Sequence, residues 1–319
     1  MTTTPTQAPA SIAPQTTAVD EKRLSAATGM DAVTLRVGDL EKMSNYYSNA
    51  LAMEPLEETA RDGEVHRVLG RGTTPLVKLV ATPGLPGVDP KQAGLFHTAF
   101  LFDTKEALAA TVAHAAQNTN STFVGSSDHL VSQAFYFTDP EGNGIELYVD
   151  RARSEWTHSL DGEVQMDSLY LDPNRFLERH LNQDVLANTV AEPGIVGHVH
   201  LQVGNIQQAR EFYVDALGFE PSLSSMPGVL FAAAGGYHHH VAMNTWNSRG
   251  AGPRAASLGL GGVAITVPGR EDLDALVARL RAHNLDFADD GRSVHVVDPW
   301  GTQVTLATGT SSIDETLAR

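Results

Sequence analysis

Thirteen histidines and no cysteine set the terms for any metal chemistry in this chain. Imidazole and carboxylate are the available ligands, and thiolate zinc sites, iron–sulfur clusters, disulfides and a cysteine nucleophile are excluded. The histidines are unevenly spread. His97 lies in the apolar segment GLFHTAFLF, His198 and His200 alternate in VGHVHLQV, and His238, His239 and His240 run together in GGYHHHVAMN. Glu146 interrupts the apolar GIELYVD ten residues after Tyr136, and His129 precedes that tyrosine in SSDHLVSQ. Each residue also has a plainer reading. A lone histidine or tyrosine on a strand is ordinarily packed or solvated, a glutamate after a turn is ordinarily structural, and HHH can be a surface run. His66, His114, His158, His180, His283 and His295 carry no argument beyond that plainer reading. Whether the others converge depends on the elements that carry them.

Those elements repeat. Residues 33–55, VTLRVGDLEKMSNYYSNALAMEP, recur as 199–221, VHLQVGNIQQAREFYVDALGFEP, at a constant offset of 166 (199 − 33). Each copy opens with alternating apolar residues, a strand with one buried face. Asp39 or Asn205 then occupies a helix N-cap position, followed by apolar residues at helical spacing. Segments from 95 and from 260 follow the same plan and close through the turns Asp139-Pro-Glu-Gly and Asp298-Pro-Trp-Gly. The chain therefore reads as α+β, with four βαβββ modules at 30–82, 95–150, 195–246 and 258–308, and a connector at 151–194 with a helix near 174–182. Residues 1–29, rich in Thr, Pro, Ala and Gln, read as a disordered tail, and 309–319 as a second short tail. Strand parity sorts the side chains. Val199, Leu201 and Val203 pack on the helix, so His198, His200 and Gln202 face the other way, as do His97, Ala99 and Leu101 in module two and Glu146 and Tyr148 on its closing strand. The equivalent positions of modules one and four hold Ala32, Gly262 and Thr305.

Four βαβββ units with these turns resemble the vicinal oxygen chelate superfamily over nearly the whole chain between the tails. The resemblance implies modules paired into two barrels, each enclosing a cup, with metal ligands at the cup-facing His of a first strand and Glu of a last strand. In this sequence those are His97, His198 and Glu146. His200 shares the face of His198 and competes for its role; Gly197-His198 favours His198. Two histidines and one carboxylate form a facial triad with open positions, the pattern of non-haem Fe(II) oxygenases, and Mn(II) suits the same donors. For the three to meet, modules two and three must pair with each other, and modules one and four with each other. Gly197-His198, the pair His239-His240 before Val241-Ala242, and the ten-residue spacing from Tyr136 to Glu146 are similar to type I extradiol dioxygenases, in particular the bacterial catechol 2,3-dioxygenases.

That resemblance implies an Fe(II)-dependent enzyme that cleaves catechol or a substituted catechol beside its hydroxyls with O2, giving a 2-hydroxymuconic semialdehyde type product. His240 would serve as acid–base residue, Tyr136 would hydrogen-bond the substrate oxygen, and His129 would shuttle a proton near the mouth. His200, Tyr237, Trp246 and Phe135 would wall the pocket. The competing readings are a hydroquinone-cleaving dioxygenase, a glyoxalase-type lyase or isomerase, and a metal-free binding protein of the same fold. A formal charge of −16 from 38 acidic and 22 basic side chains argues against nucleic acid and anionic membranes as partners. No apolar run reaches the ~18 residues of a membrane span, and no secretory signal is visible. The expected location is the cytoplasm, and homo-oligomerisation is left open.

Overall fold

The computed structural model describes residues 22–319. The first module comprises β1 (Gly29–Met30), β2 (Val33–Val37), α1 (Leu40–Leu51), β3 (Glu54–Arg61), β4 (Glu64–Arg71) and β5 (Thr74–Ala81). The second comprises β6 (Gly94–Phe102), α2 (Lys105–Gln117), β7 (Thr122–Asp128), β8 (Ser132–Thr138) and β9 (Gly144–Asp150). The connector holds β10 (Leu169–Tyr170), α3 (Pro173–His180) and α4 (Gln183–Ala187). The third module runs through β11 (Gly194–Gln202), α5 (Ile206–Ala209, continuing as a π-helical turn over Arg210–Ala216), β12 (Glu220–Leu223), β13 (Val229–Ala233) and β14 (Val241–Asn244). The fourth holds β15 (Gly259–Val267), α6 (Arg270–Ala282), β16 (Phe287–Asp289), β17 (Ser293–Val297) and β18 (Gln303–Thr308), followed by α7 (Ile313–Ala318).

Strand order shows how the modules combine. One mixed sheet runs β16-β17-β18-β15-β2-β5-β4-β3, with β1 added on β15; the other runs β10-β7-β8-β9-β6-β11-β14-β13-β12. The first strands of modules two and three, β6 and β11, lie side by side, as do β2 and β15 of modules one and four. His97 and His198 thus belong to one sheet. The helix-facing residues Val33, Leu35, Val37, Val199, Leu201 and Val203 are buried in one apolar core with Leu79, Phe100, Leu147 and Ile265. Burial of such side chains supplies the main stabilisation, at ~25 cal/mol per Å² of apolar surface.

The predicted caps form. Asp39 accepts from the Lys42 N–H at 2.9 Å, and Asn205 from Gln207 and Gln208 at 2.8 and 3.1 Å. The two Asp-Pro-x-Gly turns tie the sheets together. Asp139 Oδ1 accepts from the N–H groups of Glu141 and Asn143, and its Oδ2 receives the Tyr47 hydroxyl of module one at 3.2 Å. Asp298 repeats this with Trp300, Thr302 and the Tyr213 hydroxyl of module three at 3.0 Å.

Two segments differ from the sequence reading. Of the predicted N-terminal tail, residues 1–21 lie outside the described residues, whereas Leu24 is buried in the core and its N–H donates to Gly218 O at 2.8 Å. The predicted tail at 309–319 contains α7, whose capping box pairs Ser312 with Glu315 and whose Thr316 and Leu317 are buried. A four-residue apolar pattern behind a Ser cap is too short to stand out from composition. Among the described residues, no helix is long and apolar enough to cross a membrane.

Candidate metal centre

The register of the second sheet builds the site. Tyr136 on β8 is paired with Glu146 on β9, Glu146 with Ala99 on β6, and Ala99 with His198 on β11. These four residues form one row on the face turned away from the helices. Ala99 has only a methyl, so Glu146 and His198 meet above it, with Oε2–Nε2 at 3.1 Å. His97, two residues earlier on β6, brings its Nε2 to 2.9 Å from the same Oε2. Two glycines make this crowding feasible. A Cβ at Gly197 would lie 1.9 Å from Tyr148 Oη, and one at Gly144 would lie 2.0 Å from the Phe96 carbonyl oxygen beside His97.

Glu146, His97 and His198 are all buried. Burial alone would raise the Glu146 carboxyl, but the imidazoles of His198 and His97 outweigh it and hold it well below the usual range. Burial pushes His198 down to about 4, against the pull of Glu146. His198 is therefore a neutral imidazole beside an ionised carboxylate, the protonation a metal requires of these ligands. His97 Nε2, though 2.9 Å from Glu146 Oε2, is buried without a well-formed hydrogen bond, a costly condition unless something else engages it. Ligands about 2.1 Å from a cation and at right angles to one another lie about 3 Å apart. The two Nε2–Oε2 distances match that spacing, and the three ligand atoms lie within 4.8 Å of one another. The residues fit a divalent cation.

Around this triad the predicted residues fall on both sides of the expectation. Tyr136 packs at 5.6 Å, ring to ring, from His97, and its hydroxyl lies 2.7 Å from His129 Nε2. His129 Nδ1 lies 2.7 Å from the Asp167 carbonyl oxygen, which can only accept. Nδ1 therefore carries the proton, Nε2 is the acceptor, and the Tyr136 O–H donates. Burial, with Glu146 nearby, raises Tyr136 well above the usual phenol value, so it remains a neutral donor. His200 stands 4.9 Å from His97, ring to ring, but its Nε2 accepts from Asn244 Nδ2 at 2.9 Å, and it is not among the residues that converge on Glu146. Trp246 stands half-exposed, edge-on to Phe96 and His200 at 5.4 and 5.6 Å.

His240 is a correction. Its ring lies against Tyr237 (4.9 Å) and Phe219 (6.1 Å), and its Nδ1 accepts from the Ala234 N–H at 3.1 Å. His239 instead packs on the ligand His198, with ring centroids 4.1 Å apart. The alternation extrapolated back from β14 fails because 235–240 is a loop. Gly235 and Gly236 both have positive φ, and the strand starts only at Val241. Phe135 is a second correction. It points to the helix side, 4.9 Å from the Phe176 ring of α3, because β8 alternates and Tyr136 takes the inner face.

Sequence reasoning missed a polar chain behind His239. Asp150 accepts from Tyr237 Oη (2.9 Å), which in turn lies 2.8 Å from Tyr148 Oη. Asp150 Oδ1 lies 3.0 Å from His238 Nε2, and His238 Nδ1 lies 2.9 Å from His239 Nδ1. The carboxylate fixes the proton on His238 Nε2, so His238 Nδ1 accepts from His239 Nδ1–H and the His239 Nε2 lone pair is left free. The available signal was Asp150 two residues beyond Tyr148 on the inner-face parity. A second triplet of metal-capable atoms, His198, His238 and His239, overlaps the first through His198.

Comparison with known proteins places this architecture. The family model described as Glyoxalase/Bleomycin resistance protein/Dioxygenase superfamily matches residues 29–147 and 195–306. The chain belongs to this superfamily. It is 32% identical over 269 residues to a protein named catechol-2,3-dioxygenase from Bacillus subtilis (strain 168), covering 83% of this chain and 92% of that one. Among solved structures, a putative dioxygenase from Bacillus subtilis subsp. subtilis str. 168 superposes with a TM-score of 0.58 at 14% identity, covering 93% of this chain and 90% of that one. Glyoxalase I from Zea mays superposes with a TM-score of 0.54 at 18% identity, covering 88% and 92%. At these identities the superpositions establish the superfamily's α+β fold alone.

Proposed function

We propose that this chain is an Fe(II)-dependent extradiol dioxygenase that opens a catechol ring beside its hydroxyls, with Mn(II) as the alternative metal. The observation that supports it is the meeting of His97, Glu146 and His198 at about 3 Å on one buried face, together with 32% identity to a protein named catechol-2,3-dioxygenase. His97, His198 and Glu146 would hold the metal, which when bound acidifies the catechol hydroxyls and brings the diol and O2 into one coordination sphere. Both atoms of O2 enter the product, so no external reductant is needed.

The side chains around the triad have separable tasks. Tyr136, kept as a neutral phenol, turns its O–H from His129 Nε2 to a substrate oxygen at the triad, and the Nε2 so released takes up a proton at the mouth. His239, oriented by His238 and Asp150, presents its free Nε2 toward the reacting atoms as general base and then acid. The rings of Phe231, His200 and Phe96 line the space beside it. A glyoxalase reading calls for more carboxylate or Gln ligands, whereas Glu146 is the lone carboxylate of this triad.

The test is anaerobic loading with Fe(II) or Mn(II), addition of catechol, 3- and 4-methylcatechol and hydroquinone, and admission of air. A yellow ring-fission product with one O2 consumed per diol is expected for a catechol. Turnover of hydroquinone alone would shift the reading to that substrate class. No O2 uptake with any diol would overturn it.

A further inference from the structure

Three histidine rings crowd together beside the triad. His198 stands 4.1 Å from His239 and 5.8 Å from His238, ring to ring, and His238 stands 4.5 Å from His239. All three are buried. One metal-capable nitrogen from each lies within 4.8 Å of the others, and the group contains no carboxylate.

Each ring has a lone pair to offer. Without a cation in the triad, the neutral His198 imidazole donates its Nε2–H to Glu146 Oε2 at 3.1 Å. Its lone pair is then at Nδ1, and that atom is buried without a hydrogen-bond partner. A buried lone pair left without a donor is a place for a cation. Asp150 holds the His238 proton on Nε2 at 3.0 Å and leaves the Nδ1 lone pair turned to His239. This carboxylate–histidine pairing is the one that orients an imidazole toward a metal and raises its basicity. Burial, reinforced by the neighbouring imidazoles, holds His239 well below its ordinary value, so it is neutral. Moving its proton from Nδ1 to Nε2 frees Nδ1, 2.9 Å from His238 Nδ1, with no proton gained or lost.

The spacing selects the cation. With bonds of ~2.0–2.1 Å, nitrogens 2.9 Å apart subtend about a right angle at the ion, whereas tetrahedral Zn(II) calls for about 3.4 Å. Right-angled imidazole ligation suits Cu(II) and Ni(II), and Cu(II) is bound the more tightly of the two. Mn(II) favours a set that includes carboxylate, which the triad has and this group lacks.

We propose that His198, His238 and His239 form a second cation site that takes Cu(II) in preference to Mn(II), and that it competes with the triad because the two sites claim opposite tautomers of His198. The triad uses the lone pair of His198 on Nε2 and the second site uses it on Nδ1; a neutral imidazole has one. The binding site does not depend on the reaction proposed above. Its consequence rests on that reading: occupancy takes a ligand from the triad and the free Nε2 lone pair from His239, and so stops turnover.

The test is titration of the full-length metal-free protein with Cu(II), in the absence of any diol, followed by equilibrium dialysis and electron paramagnetic resonance. One tightly bound Cu(II) per chain is expected, with nitrogen hyperfine splitting from three imidazoles. Added to the Mn(II)-loaded protein, Cu(II) should release the Mn(II). His238→Gln should weaken Cu(II) binding by more than about 100-fold and Asp150→Asn, which removes an outer partner, by about 10–100-fold, with Mn(II) binding unchanged in both. Glu146→Gln should do the reverse, losing Mn(II) and keeping Cu(II). Circular dichroism and melting check the folding of each variant, and Asp150→Asn carries the test should His238→Gln fail to fold. Inactivity toward every diol would overturn the catalytic reading and leave these binding results standing. The second site is overturned by Cu(II) binding that is lost in Glu146→Gln, by binding that survives both His238→Gln and Asp150→Asn, by a signal from fewer than three nitrogens, or by Mn(II) and Cu(II) held together on one chain.

Discussion

His239 and His240 are neighbours with opposite surroundings, and that contrast makes the residue-scale reading testable. His239 touches the ligand His198 and is oriented through His238 by Asp150, whereas His240 accepts a backbone N–H and sits against Tyr237 and Phe219. His239→Phe is expected to retain metal and lose about 10²–10⁴-fold in kcat, the range for a removed acid–base residue. His240→Phe should keep kcat within a few-fold. Full turnover in His239→Phe with loss in His240→Phe would return the role to His240. The triad behaves differently because each member supplies a ligand atom. His97→Ala, His198→Ala and Glu146→Gln should each weaken metal binding by more than about 100-fold, beyond the about 10–100-fold that loss of an outer partner typically costs. Metal content after gel filtration measures this directly, separately from any substrate. Retention of stoichiometric metal in two of the three would remove the triad assignment.

Elements, rather than residues, explain how the triad comes to be assembled. The row Tyr136–Glu146–Ala99–His198 exists because β8, β9, β6 and β11 hold one register, and β11 keeps it through irregularities at Val196/His198 and His200/Leu201. Gly197 lies at the first of these, under Tyr148. Gly197→Ala would push Tyr148 off its 2.8 Å contact with Tyr237, and overpacking of this kind costs about 1–3 kcal/mol. Urea denaturation should show that loss, accompanied by weaker metal binding because His198 moves with the strand. The tyrosine–aspartate clasps act between elements of different sheets. Tyr47 on α1 reaches the turn before β9, and Tyr213 beyond α5 reaches the turn before β18. Burial has already pushed the Asp139 carboxyl up to about 6, so losing a donor there is costly. Tyr47→Phe and Tyr213→Phe should each lower stability by about 1–2 kcal/mol. An unchanged denaturation midpoint in both would show that the clasps are incidental. Their symmetry was half visible in the sequence: the tyrosines recur in the repeat and the aspartates in the turns, but nothing along the chain says that they meet.

Across the whole molecule, legibility followed periodicity. The 166-residue repeat exposed the modules, two-residue alternation exposed the inner face, and the placement of the candidate ligands required modules two and three to pair, as β6 and β11 do. Periodicity stops at loops, so the identity of the histidine beside His198 was lost at Gly235 and Gly236, and α7 was hidden by its shortness. A cavity in the first sheet was missed for another reason: small residues at ligand positions read as a site vacated, while the basic groups that line it come from β2, β5 and the end of the chain. Lys78 makes that face measurable through pH. Burial holds its ammonium at about 8, below its ordinary value of 10.5. Below pH 8 the folded and unfolded chains both carry the proton, and the full cost of burying the charge is present. Between pH 8 and 10.5 the unfolded chain binds more protons than the folded one, so stability rises with pH. The size is on the order of 2 kcal/mol once solvent reaching the side chain is allowed for. Lys78→Met should therefore be more stable than the parent at pH 7 by about that amount, and the difference should vanish by pH 10.5. Urea denaturation of both proteins at intervals from pH 7 to 10.5 gives the two curves. Parallel curves for parent and variant would show that Lys78 is solvated and that its burial carries no cost.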